Sequence, residues 1–233
     1  MSQWSVNRIN ALIEEFDLAN YLEIGVFGGQ TFFRVQAVTK VGVDPAFRFD
    51  PKERVNNKNE EYFSVTSDDF FKNHAGDRRW DCVFLDGLHY FEQTFRDFCN
   101  VVTNSHESTI IVIDDVVPSD IYSSFREPRF ALSLRKEETG SESISWHGDV
   151  YKTIFAIEEF FPRFQYATIM KGGNPQTILW RENREPIFDC SVISENNELA
   201  YLNFKKNFEI MNPVDNFDEI ISRIRIARTQ KNI

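Results

Sequence analysis

The chain is poor in the features of secreted, membrane and nucleic-acid-binding proteins. It has three cysteines in 233 residues, Cys82, Cys99 and Cys190. The number is odd and no pair has metal-ligand spacing, so neither a disulfide framework nor a zinc site is indicated. Cys82 falls in an apolar strand-like run and Cys99 in a helical one, which marks both as buried thiols. No apolar run approaches the roughly 18 residues that cross a bilayer, and no charged-then-apolar leader pattern opens the chain. A cytoplasmic protein with no membrane partner is expected. Positive charge is scarce too: 26 Lys and Arg stand against 36 Asp and Glu, a formal charge of −10. Phosphate neutralisation needs clustered cations, so no nucleic-acid partner is expected. Arg223, Arg225 and Arg228 are the densest basic group and read as one solvated helix face. Internal repeats are absent, and so is the dinucleotide fingerprint Gly-x-Gly-x-x-Gly.

Phenylalanine, by contrast, is abundant at 23 residues, which indicates a bulky core. Apolar runs alternate with helical periodicity along most of the chain. Ile9, Leu12, Ile13 and Phe16 share a helical face. Strands are expected at about 20–25, 40–44, 61–65, 80–86 and 109–115, with helices at 5–19, 29–38, after Thr66 and around Leu88, Phe91, Phe95 and Phe98. The fifth strand is apolar throughout, as when helices cover both faces of a sheet. Two further strand-like runs, Phe164 to Met170 and Gln176 to Trp180, are joined by Lys171-Gly172-Gly173-Asn174-Pro175 and read as a hairpin. The fold class is therefore α/β: a doubly wound, mostly parallel seven-stranded sheet ending in an antiparallel C-terminal hairpin. Residues 1–182 form the main domain, with a non-periodic lid insertion at about 116–148. Residues 183–233 form a C-terminal extension, with a helix at 215–229, that packs on the domain or mediates association, so a homo-oligomer is one expectation.

The chemistry starts at Tyr21-Leu22-Glu23-Ile24-Gly25-Val26-Phe27-Gly28-Gly29-Gln30-Thr31. A strand ends on an acid and breaks into a glycine turn; the next strand ends at Asp44. A glycine turn lets a ligand approach the backbone, and an acid one strand later can hold a ribose diol. The spacing Gly25-x-x-Gly28-Gly29 is wrong for a pyrophosphate, and Glu23 suits a ligand carrying an ammonium or hydroxyl groups.

A second constellation is Asp86-Gly87-Leu88-His89 with Asp114-Asp115. Asp86 ends the fourth strand, and His89 is expected in the first turn of the next helix, where the dipole favours a neutral imidazole able to take a proton. Neighbouring strands lie about 4.8 Å apart, so these acids converge and repel unless protons or a cation intervene. Few hard oxygen ligands with open positions suit Mg²⁺ better than Mn²⁺ or Ca²⁺. The alternative has Asp114 or Asp115 capping a turn or orienting His89. Further on, Trp146 and His147 are placed to wall an acceptor pocket, His147 being also a second candidate base, with Lys152 pairing an acidic acceptor or Asp115. Asp149 reads as the cap of the helix that carries Val150, Ile154, Ile157 and Phe161.

With Glu23, Gly25 and Gly29 as first motif and Asp44 as second, the chain resembles the class I S-adenosylmethionine-dependent methyltransferases over roughly residues 18–182. The resemblance implies a cofactor set of Glu23, Gly25, Gly28, Gly29, Thr31, Asp44, Ser67, Asp68 and Asp86, with Ser67 and Asp68 on the adenine side. The run from Phe84 to Phe98, the Ile-Asp-Asp strand and Trp146-x-Gly148-Asp149-Val150-Tyr151-Lys152 look like the branch of Mg²⁺-dependent sugar and secondary-metabolite O-methyltransferases. That implies Asp86, Asp114 and Asp115 as metal ligands and His89 as catalytic base, acting on a small-molecule acceptor. The sugar enzymes' large N-terminal region is here a single helix, so the acceptor is expected to differ. A nicotinamide oxidoreductase and a non-catalytic nucleoside-binding protein are the rival readings.

Overall fold

The computed structural model describes residues 2–54, 58–185 and 191–231; Cys190 and Asn56-Asn57 lie outside them. One sheet runs in the order β3-β2-β1-β4-β5-β7-β6-β8, built from β1 (Asn20–Ile24), β2 (Thr39–Val43), β3 (Glu60–Phe63), β4 (Trp80–Leu85), β5 (Ser105–Ile113), β6 (Phe164–Ile169), β7 (Gln176–Arg181) and β8 (Pro213–Val214). The first five strands are parallel; β7 runs antiparallel to both β5 and β6. This is the expected doubly wound sheet with its C-terminal hairpin. It has eight strands rather than seven, because β8, supplied by the extension, pairs parallel to β6.

Strand alternation sorts the core into two layers. Val83, Leu85, Ile111 and Ile113 point to one face and meet Phe98 and Val101 of α3 (Phe91–Thr103) and Ile154 and Ile157 of α5 (Tyr151–Phe160). Cys82, Phe84, Ile110 and Val112 point to the other and meet Ile9, Leu12 and Ile13 of α1 (Ser2–Phe16) and Ile220 and Ile224 of α7 (Phe217–Lys231). Each such side chain contributes about 1.5–3 kcal/mol when fully buried. The extension belongs to these same layers: Phe204 of α6 (Asn197–Lys206) and Met211 are fully buried. No helix among the described residues is long and apolar enough to cross a membrane.

Three sequence expectations need correction. The helix expected at 29–38 is only a 3₁₀ turn, Phe32–Arg34. Once the glycine turn has used residues 25–31, seven residues must run back the length of a five-residue strand. A helix would advance about 10 Å, whereas extended chain reaches about 23 Å. Asn10 of α1 serves the straightened segment, donating to the Arg34 carbonyl at 3.0 Å and accepting from Gln36 N–H at 2.8 Å. Second, the insertion at 116–148 contains α4 (Pro128–Thr139), with proline in its first turn and Gly140 closing it in the left-handed conformation. Third, His89 lies just before α3, whose N-cap is Tyr90, rather than in its first turn, and its imidazole faces Asp115. The helix between β3 and β4 is α2 (Ser67–Asn73).

The basic residues near the C-terminus form no patch. Arg223 pairs with Glu219, Arg225 with Glu15, and Arg228 reaches the Ser108 carbonyl.

Candidate active site

The C-terminal ends of the parallel strands carry two adjoining groups of side chains. The first surrounds the glycine turn. Gly25 has φ +91°, and a Cβ there would sit 2.0 Å from the Asp86 carbonyl oxygen, so only glycine fits between β1 and the end of β4. The Asp44 carboxylate, buried at the end of β2, accepts from Phe27 N–H and from Ala46 N–H, both at 2.7 Å. Asp44 thereby ties the turn to the next strand. Gly28 is part of the turn, Gly29 N–H donates to the Val26 carbonyl at 2.8 Å, and buried Thr31 accepts from Arg34 and Val35 through its carbonyl.

Glu23 lies beneath the turn and is 2 % exposed. It accepts from the Tyr21 hydroxyl at 2.6 Å. Burial pushes its pKa up to about 8, against the Tyr21 bond, the Lys40 charge and the Phe32 N–H, and Asp44 adds to the rise. At neutral pH it is largely a protonated acid that braces the turn from below.

On the neighbouring side, Thr66 caps α2 by accepting from Asp69 N–H at 3.2 Å, which leaves Ser67 and Asp68 for other partners. Gln93 of α3 donates to Ser67 at 3.1 Å and to Asp68 at 3.2 Å, and Arg96 holds Asp68 at 2.9 Å. Asp97 completes this set. It was not among the sequence candidates, yet it is 3 % exposed and burial raises its pKa to about 6, over the opposing bonds from Ser67 and Gln93. Its place on α3, three residues after Thr94 and four before Val101, puts an acid on the buried face; that was the legible signal.

The second group is acidic. Asp86, His89 and Asp115 each offer one ligand atom, and these atoms lie within 4.8 Å of one another. His89 Nε2 stands 3.0 Å from Asp115 Oδ2 and 3.9 Å from Asp86 Oδ1. Asp114 does not join them. Past the end of β5 the backbone turns, with φ +58° at Asp115, and splits the pair. Asp114 Oδ1 accepts from the side-chain amide of Asn174 at 2.7 Å, and the same amide donates to Asp115 Oδ1 at 2.8 Å. Of the three acids expected to converge, Asp86 and Asp115 meet beside His89, while Asp114 is held on Asn174.

The electrostatics follow from burial first and from crowding second. Burial, then the charges of Asp114 and Asp115, raise Asp86 well above the carboxylate range. Burial and Asp115 push Asp114 to about 7. Burial would also raise Asp115, but the bond to His89, its charge and that of His147 outweigh it and hold the acid below its ordinary value. His89 is the mirror image: burial lowers it, and the Asp115 bond and charge more than restore it, so its pKa is raised. Each partner thus favours the charged form of the other.

The insertion closes over this group. Trp146 stacks on the His89 ring at 4.8 Å between centroids and 16° between planes, and its indole N–H donates to the Phe125 carbonyl at 2.7 Å. His147 is 6 % exposed, contacts the Asn174 side chain at 3.1 Å, and has its pKa lowered by burial. Gly148 is forced: a Cβ would lie 1.8 Å from the His89 carbonyl oxygen. Asp149 caps α3 rather than its own helix, accepting from Phe91 N–H at 2.8 Å. Lys152 is not brought to the cluster. It is buried with Nζ 3.3 Å from the Glu195 carbonyl and 3.6 Å from Asp149, so it joins α5 to the extension instead of lining the acceptor side.

Residues 22–116 match a family model described as a methyltransferase domain. A search of curated proteins finds no match. Among solved structures, an O-methyltransferase from Bacillus cereus in complex with SAH superposes with a TM-score of 0.55 at 16% identity, covering 78% of this chain and 82% of that one. The SAH-bound methyltransferase PaMTH1 of Podospora anserina gives 0.54 at 12% identity, covering 77% and 78%. The O-methyltransferase TomG from Streptomyces achromogenes, involved in tomaymycin synthesis and in complex with SAM, gives 0.50 at 14%, covering 76% and 79%. At such identities the likeness is one of fold.

Proposed function

We propose that this chain, which carries a methyltransferase domain of the class I, S-adenosylmethionine-dependent kind, transfers the cofactor's methyl group to a hydroxyl of a small acceptor. The reading rests above all on the contact between the two groups of side chains. The glycine turn lies against the backbone of Asp86, three residues before His89. Gly25 and Asp44 would hold the cofactor on that turn, and it would supply the methyl group next to the His89–Asp115 pair.

In this reaction His89 takes the hydroxyl proton at Nε2, the atom facing Asp86 and Asp115, and Asp115 balances the resulting imidazolium charge. The acceptor oxygen attacks the sulfonium methyl in line, and the carbon–sulfur bond breaks to release neutral S-adenosylhomocysteine. Alignment supplies much of the rate, several kcal/mol in such reactions. Trp146 and His147 exclude water from one side.

The crowded acids also fit a divalent cation, which would offset the burial and the neighbouring charges of Asp114 and Asp115 that together raise Asp86. Mg²⁺ prefers oxygen donors and commonly takes one or two carboxylates. Asp86 and Asp115 would hold it, leaving His89 free for the proton. Bound there, the ion would lower the pKa of the acceptor hydroxyl. The sequence resemblance implies a hydroxyl of a sugar, a glycan-linked group or another secondary metabolite as the acceptor class.

The test is transfer of label from methyl-labelled S-adenosylmethionine to a panel of phenols and sugars, with Mg²⁺ and with excess chelator. Labelled product that falls at least tenfold in chelator supports both parts. Full activity in chelator overturns the cation, and stabilisation of the protein by NADH but not by S-adenosylhomocysteine overturns the methyltransferase reading.

A further inference from the structure

A pocket of about 370 Å³ opens at the same edge of the sheet, outside the acidic cluster and the glycine turn. Trp4 and Arg8 of α1, Ile169 at the end of β6, Gly172 in the hairpin loop and Phe217 at the start of α7 wall it, with Lys171 and Asp215 at its rim. Its size is that of a small-molecule site. Nothing in the proposed chemistry uses it.

Trp4 is the unusual member. It is 50 % exposed, yet it is firmly seated. Gly172 and Gly173, at φ +79° and +99°, lie against the indole so closely that a Cβ on either would come within 3.0 Å or less of a ring carbon. Arg8 locks the loop in place, donating to the carbonyls of Lys171, Gly172 and Asn174 at 2.6–2.9 Å and to the Gln176 side chain at 2.7 Å. A large aromatic surface is thus held rigid with half its area in water. Rigid aromatic groups beside a pocket bind planar partners at low entropic cost.

The loop has a second side. Asn174, two residues beyond Gly172, holds Asp114 and Asp115. Pocket and acidic cluster therefore share the loop 171–175 as a common wall, and two residues of chain span only about 7 Å.

From this juxtaposition we propose that the pocket between α1, the β6–β7 loop and α7 binds a planar aromatic group, the distal part of an elongated acceptor whose hydroxyl end reaches His89. The proposal rests on the methyltransferase reading for its acceptor but not for its binding chemistry. Trp4, Ile169 and Phe217 offer apolar walls to a ring, and the Lys171–Asp215 pair, at 2.7 Å, offers polar contacts at the mouth. A free sugar, which needs many inward hydrogen bonds, fits this lining poorly.

The probe is 2-naphthol, titrated calorimetrically into the full chain with glucose as the control, alongside Trp4→Ala and Phe217→Ala. Saturable 2-naphthol binding, absent with glucose and weakened at least tenfold by Trp4→Ala while S-adenosylhomocysteine affinity stays within twofold, is the expected result. If Trp4→Ala fails to fold, the same loss in Phe217→Ala decides. No 2-naphthol binding, or binding unchanged in both variants, overturns the proposal. So does a dimer in sedimentation that Trp4→Ala dissociates, because the pocket would then be filled by a second copy. Loss of S-adenosylhomocysteine binding in the wild-type protein, with 2-naphthol still bound, would count against the methyltransferase reading and leave the pocket standing.

Discussion

Glu23 is an acid sealed under the glycine turn, and its raised pKa is a statement about stability. Its carboxyl titrates near 8 in the folded chain and near the ordinary glutamate value of about 4.3 in the unfolded one. A raised folded pKa gives stability that is complete below the unfolded value and is lost as pH rises through the folded one. Between pH 5 and 8 this one group should remove on the order of 3–5 kcal/mol. Glu23→Gln, uncharged throughout, should lack that slope and be more stable than wild type at pH 8; urea unfolding at pH 5 and pH 8 measures it. Equal slopes in the two proteins would mean that Glu23 is ionised in the fold.

His89 behaves in the opposite sense to its sequence-based expectation. Paired with Asp115, it holds its proton above the usual imidazole range, so it must lose that proton before it can act as a base. Turnover should therefore rise with pH through a midpoint above about 6.5. His89→Ala should lower turnover by at least 100-fold and leave S-adenosylhomocysteine affinity within twofold, the usual worth of a general base being 10²–10⁴. A large loss of cofactor affinity would place His89 in the cofactor site instead.

At the scale of elements, the insertion is held by Arg135 of α4, which is 1 % exposed. Its guanidinium takes Asp120 through two nitrogens at 2.8 and 2.9 Å and the carbonyls of Ser143 and Ser145 at 2.8 and 2.7 Å. Ser145 precedes Trp146, so the arginine sets where the indole meets His89. Arg135→Gln should expose residues 140–146 to limited proteolysis and lower turnover about tenfold or more, since small misplacement is costly. Cofactor affinity should stay unchanged. Wild-type resistance to protease in the variant would contradict the clamp.

The same segment marks where sequence reading stops. The glycine turn, Asp44 and Asp86-Gly87-Leu88-His89 were legible because each is a short run at a strand end. Helix α4 was not, because its buried face is Ala131 and Arg135 rather than an apolar stripe, although Glu127-Pro128 and Gly140 did mark its ends. Asn174 and the Asp149 cap of α3 depend on contacts 59 and 58 residues apart in the chain, which no local pattern encodes. The missing helix after Thr31 was decided by the distance the chain had to cover, not by propensity.

For the whole molecule, the extension is part of the fold and not an appendage. Met211, Val214, Ile220 and Ile224 complete layers on both faces of the sheet, and β8 covers the edge that β6 would otherwise expose. A chain ending at residue 182 should lose cooperative thermal unfolding, because four such residues alone represent about 6–12 kcal/mol of burial, comparable with the stability of a typical domain. A truncated chain that melts cooperatively would show the extension to be dispensable.

The central claim is that the cleft formed by the glycine turn, Asp44 and the Asp86 strand end is a site for the methyl donor. Calorimetric titration of the full chain with S-adenosylhomocysteine tests it most directly, with Gly25→Ala as the control. One site per chain, abolished by a Cβ that would collide with the Asp86 carbonyl, is the predicted result. Absence of S-adenosylhomocysteine binding to folded wild-type protein would contradict it.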